Sequence, residues 1–167
     1  MKKDGVIEWI REYFKGNDSL KAVIGISGGT DSSVAAALLC EALGKDRVVG
    51  VLMPCGEQHD IDVSKQLVDY LGIKHYIVNI KEPVTALHDI IGEVTDCEPN
   101  DTDAYKTNTP ARIRMTVLYG ICALVGGRVT NTCNLSEDYV GYSTKFGDAA
   151  GDFSILSSFT KTEVKEI

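Results

Sequence analysis

Apolar positions along the chain follow helical spacing in some stretches and strand-like runs in others. Val6, Ile7, Ile10 and Phe14 recur every three or four residues, which is typical of one face of an amphipathic helix. Short apolar runs of strand length then alternate with further helical stripes. The predicted strands cover 21–26, 47–53, 74–78 and 128–132. The predicted helices between them cover 34–43, about 60–71, and a stretch from 108 or 109 to 125.

Strands that are separated by helices of this length pair in parallel through right-handed crossovers. The pattern therefore predicts an α/β domain with a doubly wound open parallel sheet, helices on both faces and a Rossmann-like architecture. At 167 residues, a single domain over 1–167 is expected. Ligands of such sheets bind outside the carboxyl ends of the strands, so we expect the chemistry near 27, 53–54, 78–79 and 130–132.

The junction between the first strand and the next helix carries a dense polar pattern. It consists of Ser27, Gly28, Gly29, Thr30, Asp31, Ser32 and Ser33. Glycines let the backbone approach an anion closely, and a helix start offers unpaired N–H groups and partial positive charge. Asp31 would repel a bare phosphate but suits a divalent cation beside one. The junction thus predicts a loop that binds a metal-bound polyphosphate.

Two other interpretations of this junction are possible. A Walker A loop requires Gly-Lys-Ser/Thr, and no lysine occurs between Lys21 and Lys45. In a purely structural turn, Ser27 would cap the helix and the glycines would merely allow the bend. The number of hydroxyl and carboxylate side chains around the glycine pair favours a binding loop.

A later segment, 95–107, carries four acids and almost no apolar residue, which predicts an exposed loop. Asn108 or Thr109 is then expected to cap the following helix, with Pro110 in its first turn.

Composition narrows the class of protein. The net charge is −7 and the lysines and arginines are scattered, so nucleic acid is not an expected partner. No apolar run approaches a membrane span of ~20 residues and no leader pattern is present, which predicts a soluble, cytoplasmic protein without a membrane partner.

The five cysteines lack C-x-x-C spacing, and His59, His75 and His88 match no metal spacing, which argues against a disulfide framework or a zinc site. Cys55 and Cys133 follow strands and could be reactive, although inert cleft-wall residues are the favoured interpretation.

Four later blocks extend the pattern of the loop. They are 111–115 (ARIRM), 131–137 (NTCNLSE), 141–148 (GYSTKFGD) and 159–162 (FTKT). Together with SGGTDS at 27–32, they resemble the ammonia-dependent NAD synthetases of the N-type ATP pyrophosphatase superfamily. The loop alone would fit the whole superfamily, which includes argininosuccinate synthetase and the amidating domain of GMP synthetase.

The resemblance runs from near residue 6 to Ile167, whereas family members are typically longer and have a C-terminal region that this chain lacks. Two positions depart from the family pattern. Asn131 stands where Gly is usual, which is expected to shift the loop around Thr132. The segment 154–158 lacks the usual proline, which is expected to alter how Lys161 is presented.

The resemblance implies a reaction in which ATP adenylates the carboxylate of nicotinic acid adenine dinucleotide (deamido-NAD), with Mg²⁺ as cofactor. Ammonia then attacks the adenylate, so that NAD, AMP and pyrophosphate are the products. The family also implies a homodimer with the dinucleotide site at the subunit interface. No nitrilase-type glutaminase signature is present, so free ammonia is the expected nitrogen source, with a separate glutaminase partner left open.

By position, the resemblance assigns Asp31 and Lys161 to catalysis and Asp31 and Glu137 to magnesium. The implied ATP-binding residues are Gly25, Ile26, Ser27, Gly28, Gly29, Thr30, Asp31, Ser32, Thr132 and Lys161. The implied substrate-binding residues are Arg112, Lys145 and Asp152. Taken singly, Glu137 would pass for an ordinary helix-start acid and Lys161 for a surface lysine.

Arg112 and Arg114 lie about 200° apart around a helix, so both cannot face one ligand. Arg112 is the preferred ligand residue, whereas Arg114 is expected to be structural or at an interface, with contact to ATP as the alternative. For Lys145 and Asp148 the alternative is a salt bridge within their loop.

Two other functions remain open at this point. One is an ATP pyrophosphatase that adenylates a different substrate. The other is a truncated or degenerate nucleotide-binding module without activity, and in that case the chain would dimerise weakly.

Overall fold

The computed structural model describes residues 2–57, 61–95, 97–99 and 102–167. Its α-helices are α1 Lys2–Tyr13, α2 Thr30–Leu43, α3 Ile61–Leu71, α4 Lys81–Thr95, α5 Asp103–Val125, α6 Leu135–Val140 and α7 Lys161–Glu166. Its strands are β1 Lys21–Gly25, β2 Val48–Leu52, β3 Lys74–Ile77, β4 Gly127–Asn131 and β5 Phe153–Ser154. A 3₁₀ turn, Lys45–Arg47, precedes β2.

The strands form one parallel sheet in the order β3-β2-β1-β4-β5. Ala22 of β1 aligns with Val48 of β2 on one side and with Arg128 of β4 on the other. The chain runs outward from β1 to β3 and then returns to the opposite side, so the order reverses between β1 and β4. Ligands of open α/β sheets bind at this point of reversal. The predicted fold class is confirmed.

The core has two layers because neighbouring residues of β1 point to opposite faces. Ile24 packs in the cluster formed with α1, α2, α3 and α7, and Val23 packs in the cluster formed with α5. Both side chains are fully buried. Each contributes about 1.5–3 kcal/mol of apolar burial, so the end of β1 is anchored from both faces of the sheet.

The second half of the chain departs most from the sequence prediction. Helix α4 was not predicted, because its apolar residues form only a partly buried stripe against α5. Helix α5 begins at Asp103 rather than near 108, so the predicted 95–107 loop is shorter. Pro110 lies inside this helix, where it removes one backbone hydrogen bond, and not in the first turn. Residues 96, 100 and 101 of the predicted loop lie outside the described residues.

Smaller differences occur at other boundaries. Helix α2 starts at Thr30, four residues before the predicted start, because its first turn is polar and lacks an apolar signal. Strand β5 has only two residues, too few for a pattern to predict. The predicted start of α3 at Asp60, like His59, lies outside the described residues.

The five cysteines are free thiols. Within the described ranges, no helix combines the length and the apolar character needed to cross a membrane.

Candidate functional site

The polar junction between β1 and α2 forms a tight turn at the end of the strand. Gly28 has φ +79°, and a Cβ built there would lie 3.0 Å from the Ser64 hydroxyl. The Ser27 and Ser32 hydroxyls lie 3.0 Å apart, and Ser27 Oγ also accepts a hydrogen bond from the Gly29 N–H at 3.2 Å. Gly29 occupies the N-cap position of α2, and its backbone makes the turn without a side-chain cap.

The interpretation that Ser27 caps α2 is therefore wrong. Its hydroxyl contacts Gly29, which precedes the helix, and does not accept from the N–H groups of the first helical turn. No side chain caps α2, and uncapped helix starts of this kind can bind anions.

A cavity of about 650 Å³ opens at the carboxyl ends of β1, β2 and β4. Among the ATP-binding residues expected from sequence, those that line it are Gly25, Ile26, Ser27, Ser32 and Thr132. Residues 28–31 lie outside the lining but continue the same loop from Ser27 to Ser32. A cavity of this size accommodates a nucleoside, with the α2 N-terminus beside it.

Charged side chains from α2, α6 and α7 form a cluster beside the 27–33 loop. The Lys161 ammonium at the start of α7 pairs with Oδ2 of Asp31 on α2. Oδ1 of Asp31 accepts a hydrogen bond from the Asn134 side-chain amide at 3.1 Å. Oε2 of Glu137 accepts from the Asn134 backbone N–H at 3.0 Å. The two carboxylates expected to bind magnesium are thus joined through Asn134.

Sequence reasoning did not assign Asn134 a role. It is fully buried and caps α6, with its side-chain oxygen accepting from the backbone N–H groups of Ser136 and Glu137. Asn134 and Glu137 form a capping box, whose Asn-x-x-Glu spacing is visible in the sequence. Glu137 therefore has two roles. It is an acid at the start of α6, and it contacts Asn134, whose side chain donates to Asp31.

The position of Lys161 is fixed by its backbone. Its N–H donates to the Ser136 hydroxyl at 3.1 Å, which ties α7 to α6. Thr160 caps α7 in a second capping box with Glu163. The Lys2 ammonium and the Thr160 backbone and hydroxyl groups lower the pKa of Glu163 to about 2. The cap is therefore ionised at neutral pH and holds the start of α7 in place.

The three expected substrate residues lie on another side of the site and do not line the large cavity. Arg112 Nε donates to the Lys145 carbonyl at 3.1 Å. The Lys145 ammonium lies 5.0 Å from the ring centroid of Phe146. Asp152 accepts from the Val129 N–H at 2.7 Å and from the Tyr119 hydroxyl at 3.5 Å.

A smaller cleft of about 480 Å³ lies beside these residues. It is lined by Met115, Thr116, Tyr119, Phe146 and Ala150. The Lys145 ammonium lies over the ring of Phe146, and Tyr119 contacts Asp152. Since Phe146 and Tyr119 both line the cleft, Lys145 and Asp152 lie beside it. A loop salt bridge between Lys145 and Asp148 is not formed, because Asp148 instead accepts from the Thr144 N–H at 2.8 Å.

For Arg114 the sequence left two interpretations, a structural or interface role and contact with ATP. Arg114 lines the large cavity, and its Nε donates to the Met53 carbonyl at the end of β2 at 3.1 Å. Arg112 and Arg114 face different sides of α5, as their helical spacing predicts. The contact with the Met53 carbonyl is structural, and contact between Arg114 and ATP stays a prediction.

Cys133 is buried beside the cavity floor. Burial and the nearby Asp148 carboxylate raise the pKa of its thiol to about 11. The thiol is therefore protonated at neutral pH, and this supports its interpretation as an inert wall residue. Cys55 is exposed.

Three comparisons with known proteins give the same result. The NAD synthase family model matches residues 4–167. The NH(3)-dependent NAD(+) synthetase of Pyrococcus furiosus is 38% identical over 162 residues, which is 97% of this chain and 61% of that protein. This chain thus spans about three fifths of the length of that curated relative.

Two solved structures resemble the fold closely. The NH3-dependent NAD synthetase from Campylobacter jejuni superposes with a TM-score of 0.86 at 31% identity, over 99% of this chain and 69% of that one. The NMN synthetase from Francisella tularensis superposes with a TM-score of 0.88 at 31% identity, over 99% of this chain and 67% of that one. Because the family model matches nearly the whole length of the chain, the chain belongs to the NAD synthase family.

Proposed function

We propose that the chain carries out ATP-dependent amidation of deamido-NAD with ammonia. The observation that carries this proposal is the pairing of Asp31 with Lys161 at the mouth of an uncapped helix start, with Glu137 joined to Asp31 through Asn134. This arrangement combines metal-binding carboxylates with a mobile cation beside a phosphate-binding loop.

The adenosine of ATP occupies the large cavity, with the 25–32 loop and Thr132 around the phosphates. The α2 N-terminus neutralises part of the phosphate charge. Lys161 leaves Asp31 and follows the phosphates, since a lysine is a compact charge on a flexible stem. Arg114 stays in the cavity wall, where its contact with Met53 fixes the edge of the pocket.

The donor set fits a magnesium ion. Mg²⁺ binds through one or two carboxylates together with phosphate oxygens and water, and Asp31 and Glu137 are such a pair. When bound, the ion supplies charge neutralisation for the departing pyrophosphate. Both oxygens of Asp31 hold donors in this structure, so Lys161 must release Oδ2 before a metal can use it.

Arg112, Lys145 and Asp152 bind the dinucleotide beside the smaller cleft. In the first step a carboxylate oxygen forms a bond to the α-phosphorus and pyrophosphate leaves. In the second step ammonia adds to the activated carbonyl carbon, AMP leaves with the former carboxylate oxygen, and the nitrogen loses a proton to water. The protein contributes mainly orientation and charge neutralisation.

Several features of the assembly belong to the same proposal. The chain acts as one cytoplasmic domain and forms a homodimer, whose interface completes the dinucleotide site. The exposed apolar side chains of α4 and α5 support such a contact, since Ile90, Val94 and Leu124 are each more than half exposed.

A second candidate substrate is nicotinic acid mononucleotide. The likeness to the Francisella NMN synthetase favours it, because the large cavity and the acidic pair would serve either substrate. The chemistry at the carboxylate is the same, and only the contacts with the rest of the substrate differ.

Product analysis tests both candidates. The chain is mixed with ATP, Mg²⁺ and ammonium, and with either deamido-NAD or nicotinic acid mononucleotide. NAD with AMP and pyrophosphate supports the main proposal, and nicotinamide mononucleotide supports the second candidate. ATP binding without either product means that this chain is a nucleotide-binding module, and the proposal is then wrong.

A further inference from the structure

The side chain of Asn131, at the end of β4, uses all of its hydrogen-bonding capacity. Oδ1 accepts from the Cys133 N–H at 2.8 Å and from the Ser154 hydroxyl at 3.3 Å. Nδ2 donates to the carbonyl oxygens of Asp148 at 2.8 Å and Ala150 at 3.2 Å. Two acceptor and two donor positions are filled, which fixes the orientation of the amide.

These contacts join three parts of the fold. Cys133 continues from β4 toward the charged cluster, and Ser154 belongs to β5. Asp148 and Ala150 belong to residues 141–151, which we call the substrate loop because it carries Lys145. Asn131 is 8% exposed and lines the nucleotide cavity. Its hydrogen bonds are therefore largely shielded from water, which strengthens them.

The hydrogen bonds continue through the substrate loop to α5. Oδ1 of Asp148 accepts from the Thr144 N–H at 2.8 Å. The Thr144 hydroxyl donates to Oδ1 of Asn108 on α5, also at 2.8 Å. Lys145 follows Thr144 directly, and its carbonyl accepts from Arg112. The loop that carries Lys145 is therefore held from β4 on one side and from α5 on the other.

The close packing of Gly151 supports the same conclusion. A Cβ built on Gly151 would lie 2.7 Å from Asn131 Cβ, so the end of the substrate loop rests directly on this residue. A glycine at position 131 could make the backbone contacts there, but it has no amide to hold the carbonyls of Asp148 and Ala150.

We propose that Asn131 is a positioning residue that fixes the substrate loop against the nucleotide pocket, so that the dinucleotide carboxylate meets the α-phosphate of ATP. This inference rests on the proposed function, because it takes Lys145 as a contact of the dinucleotide. Asn131 itself touches neither reacting group.

Asn131→Asp tests the proposal with almost no change in volume. The substituted side chain keeps an acceptor for the Cys133 N–H but places a carboxylate oxygen against two carbonyl oxygens. We expect affinity for deamido-NAD, measured by calorimetry at pH 8, to fall at least about tenfold, which is ~1.4 kcal/mol. Affinity for Mg²⁺-ATP should fall by a smaller factor than affinity for deamido-NAD, because Asn131 lines the nucleotide cavity but does not hold the nucleotide.

Lowering the pH provides a rescue. A carboxyl facing two carbonyls has a raised pKa, and its protonated form can donate where the amide did. The ratio of wild-type to Asn131→Asp affinity for deamido-NAD should therefore shrink between pH 8 and pH 5.5. A residue with a purely structural role would instead give equal losses for both ligands.

Ser154→Ala is the matched control, because it removes only the longest of the four Asn131 contacts. The hydrogen bonds from Asn131 to the carbonyls of Asp148 and Ala150 in the substrate loop remain. This variant should bind both ligands as the wild type does. Equal dinucleotide affinity in Asn131→Asp and wild type would overturn the proposal.

If the wild type binds no deamido-NAD, the proposed function fails, and hydrogen exchange then decides the role of Asn131. The N–H groups of Gly147 and Ala149 donate to the Thr144 carbonyl within the substrate loop. They should exchange faster in Asn131→Asp than in wild type. Unchanged exchange at these two positions would also overturn the inference.

Discussion

Lys161 pairs with Asp31 across a sequence separation of 130 residues, and the pair joins the start of α7 to the first turn of α2. The Asp31 side chain is 18% exposed and the Lys161 side chain is 42% exposed. The cation can therefore leave for solvent or for a phosphate without unfolding its helix. Under the proposed function, a metal-bound nucleotide would replace this contact with its own.

Replacing Asp31 with Asn tests its role as a metal ligand. The substitution keeps an oxygen for the Asn134 amide but removes the charge. We expect affinity for Mg²⁺-ATP to fall at least about tenfold, or ~1.4 kcal/mol. The melting temperature should change little, because partly exposed ion pairs contribute at most about 1 kcal/mol. Calorimetry and circular dichroism measure the two effects.

Asp62→Asn is the matched control. Asp62 also lies in the first turn of a helix and also pairs with a lysine, Lys65, at 3.4 Å. Nucleotide affinity should be unaffected there. Equal affinities in Asp31→Asn and wild type would remove Asp31 from the metal site.

Replacing Lys161 with Ala should separate metal binding from nucleotide binding. Without the ammonium, Oδ2 of Asp31 no longer has a cationic partner. Mn²⁺, used as a probe for Mg²⁺, should therefore bind more tightly in the absence of nucleotide. ATP should bind more weakly, because a phosphate contact is lost. Lys165→Ala, on the exposed side of the same helix, should change neither affinity. A loss of Mn²⁺ affinity in Lys161→Ala would contradict the exchange of partners.

Alkylation distinguishes the two cysteines that follow strands. With the pKa of Cys133 raised to about 11 by burial and by Asp148, iodoacetamide at pH 8 should spare this thiol. Exposed Cys55 and Cys97 should react first, as peptide mass spectrometry would record. In denaturant, all five thiols should react. Modification of Cys133 at the rate of Cys55 in the native protein would show that the thiol is accessible and ionised.

His88 should make stability depend on pH. Its ring nitrogens lie 3.1 Å from Asp89 and 2.7 Å from Glu98, and these hydrogen bonds raise its pKa above 6.5. Because the raised pKa belongs to the folded state, the stabilisation is fully present below pH 6.5 and is lost as pH rises through the higher folded value. His88→Gln should therefore lower the melting temperature more at pH 6 than at pH 9.

Glu98→Gln removes one of the two carboxylate partners of His88. It should also lower the melting temperature more at pH 6 than at pH 9. A melting-temperature difference that is equal at both pH values would rule out a protonated His88 as the source.

Local patterns were enough to predict the first half of the fold. The apolar runs of β1, β2 and β3 alternate with the stripes of α2 and α3, and parallel pairing follows from the length of the connections. In α4 and in the first half of α5 the apolar signal is weak, because most of their residues are exposed or only partly buried. Pro110 then suggested a helix start where the helix continues, since a proline in a helix interior is tolerated only in context.

The sequence by itself determined the polar, glycine-rich composition of the 27–33 loop and predicted most of the candidate ligands. Their order along the chain could be matched to a family, and glycine and serine act locally, through the turn they form. Only the tertiary structure decided that Lys161 meets Asp31, that Asn134 joins Asp31 to Glu137, and that Arg114 lines the large cavity. These contacts depend on how α2, α6 and α7 converge on one end of the sheet and on how α5 lies across it, and no periodicity along the chain encodes such distances.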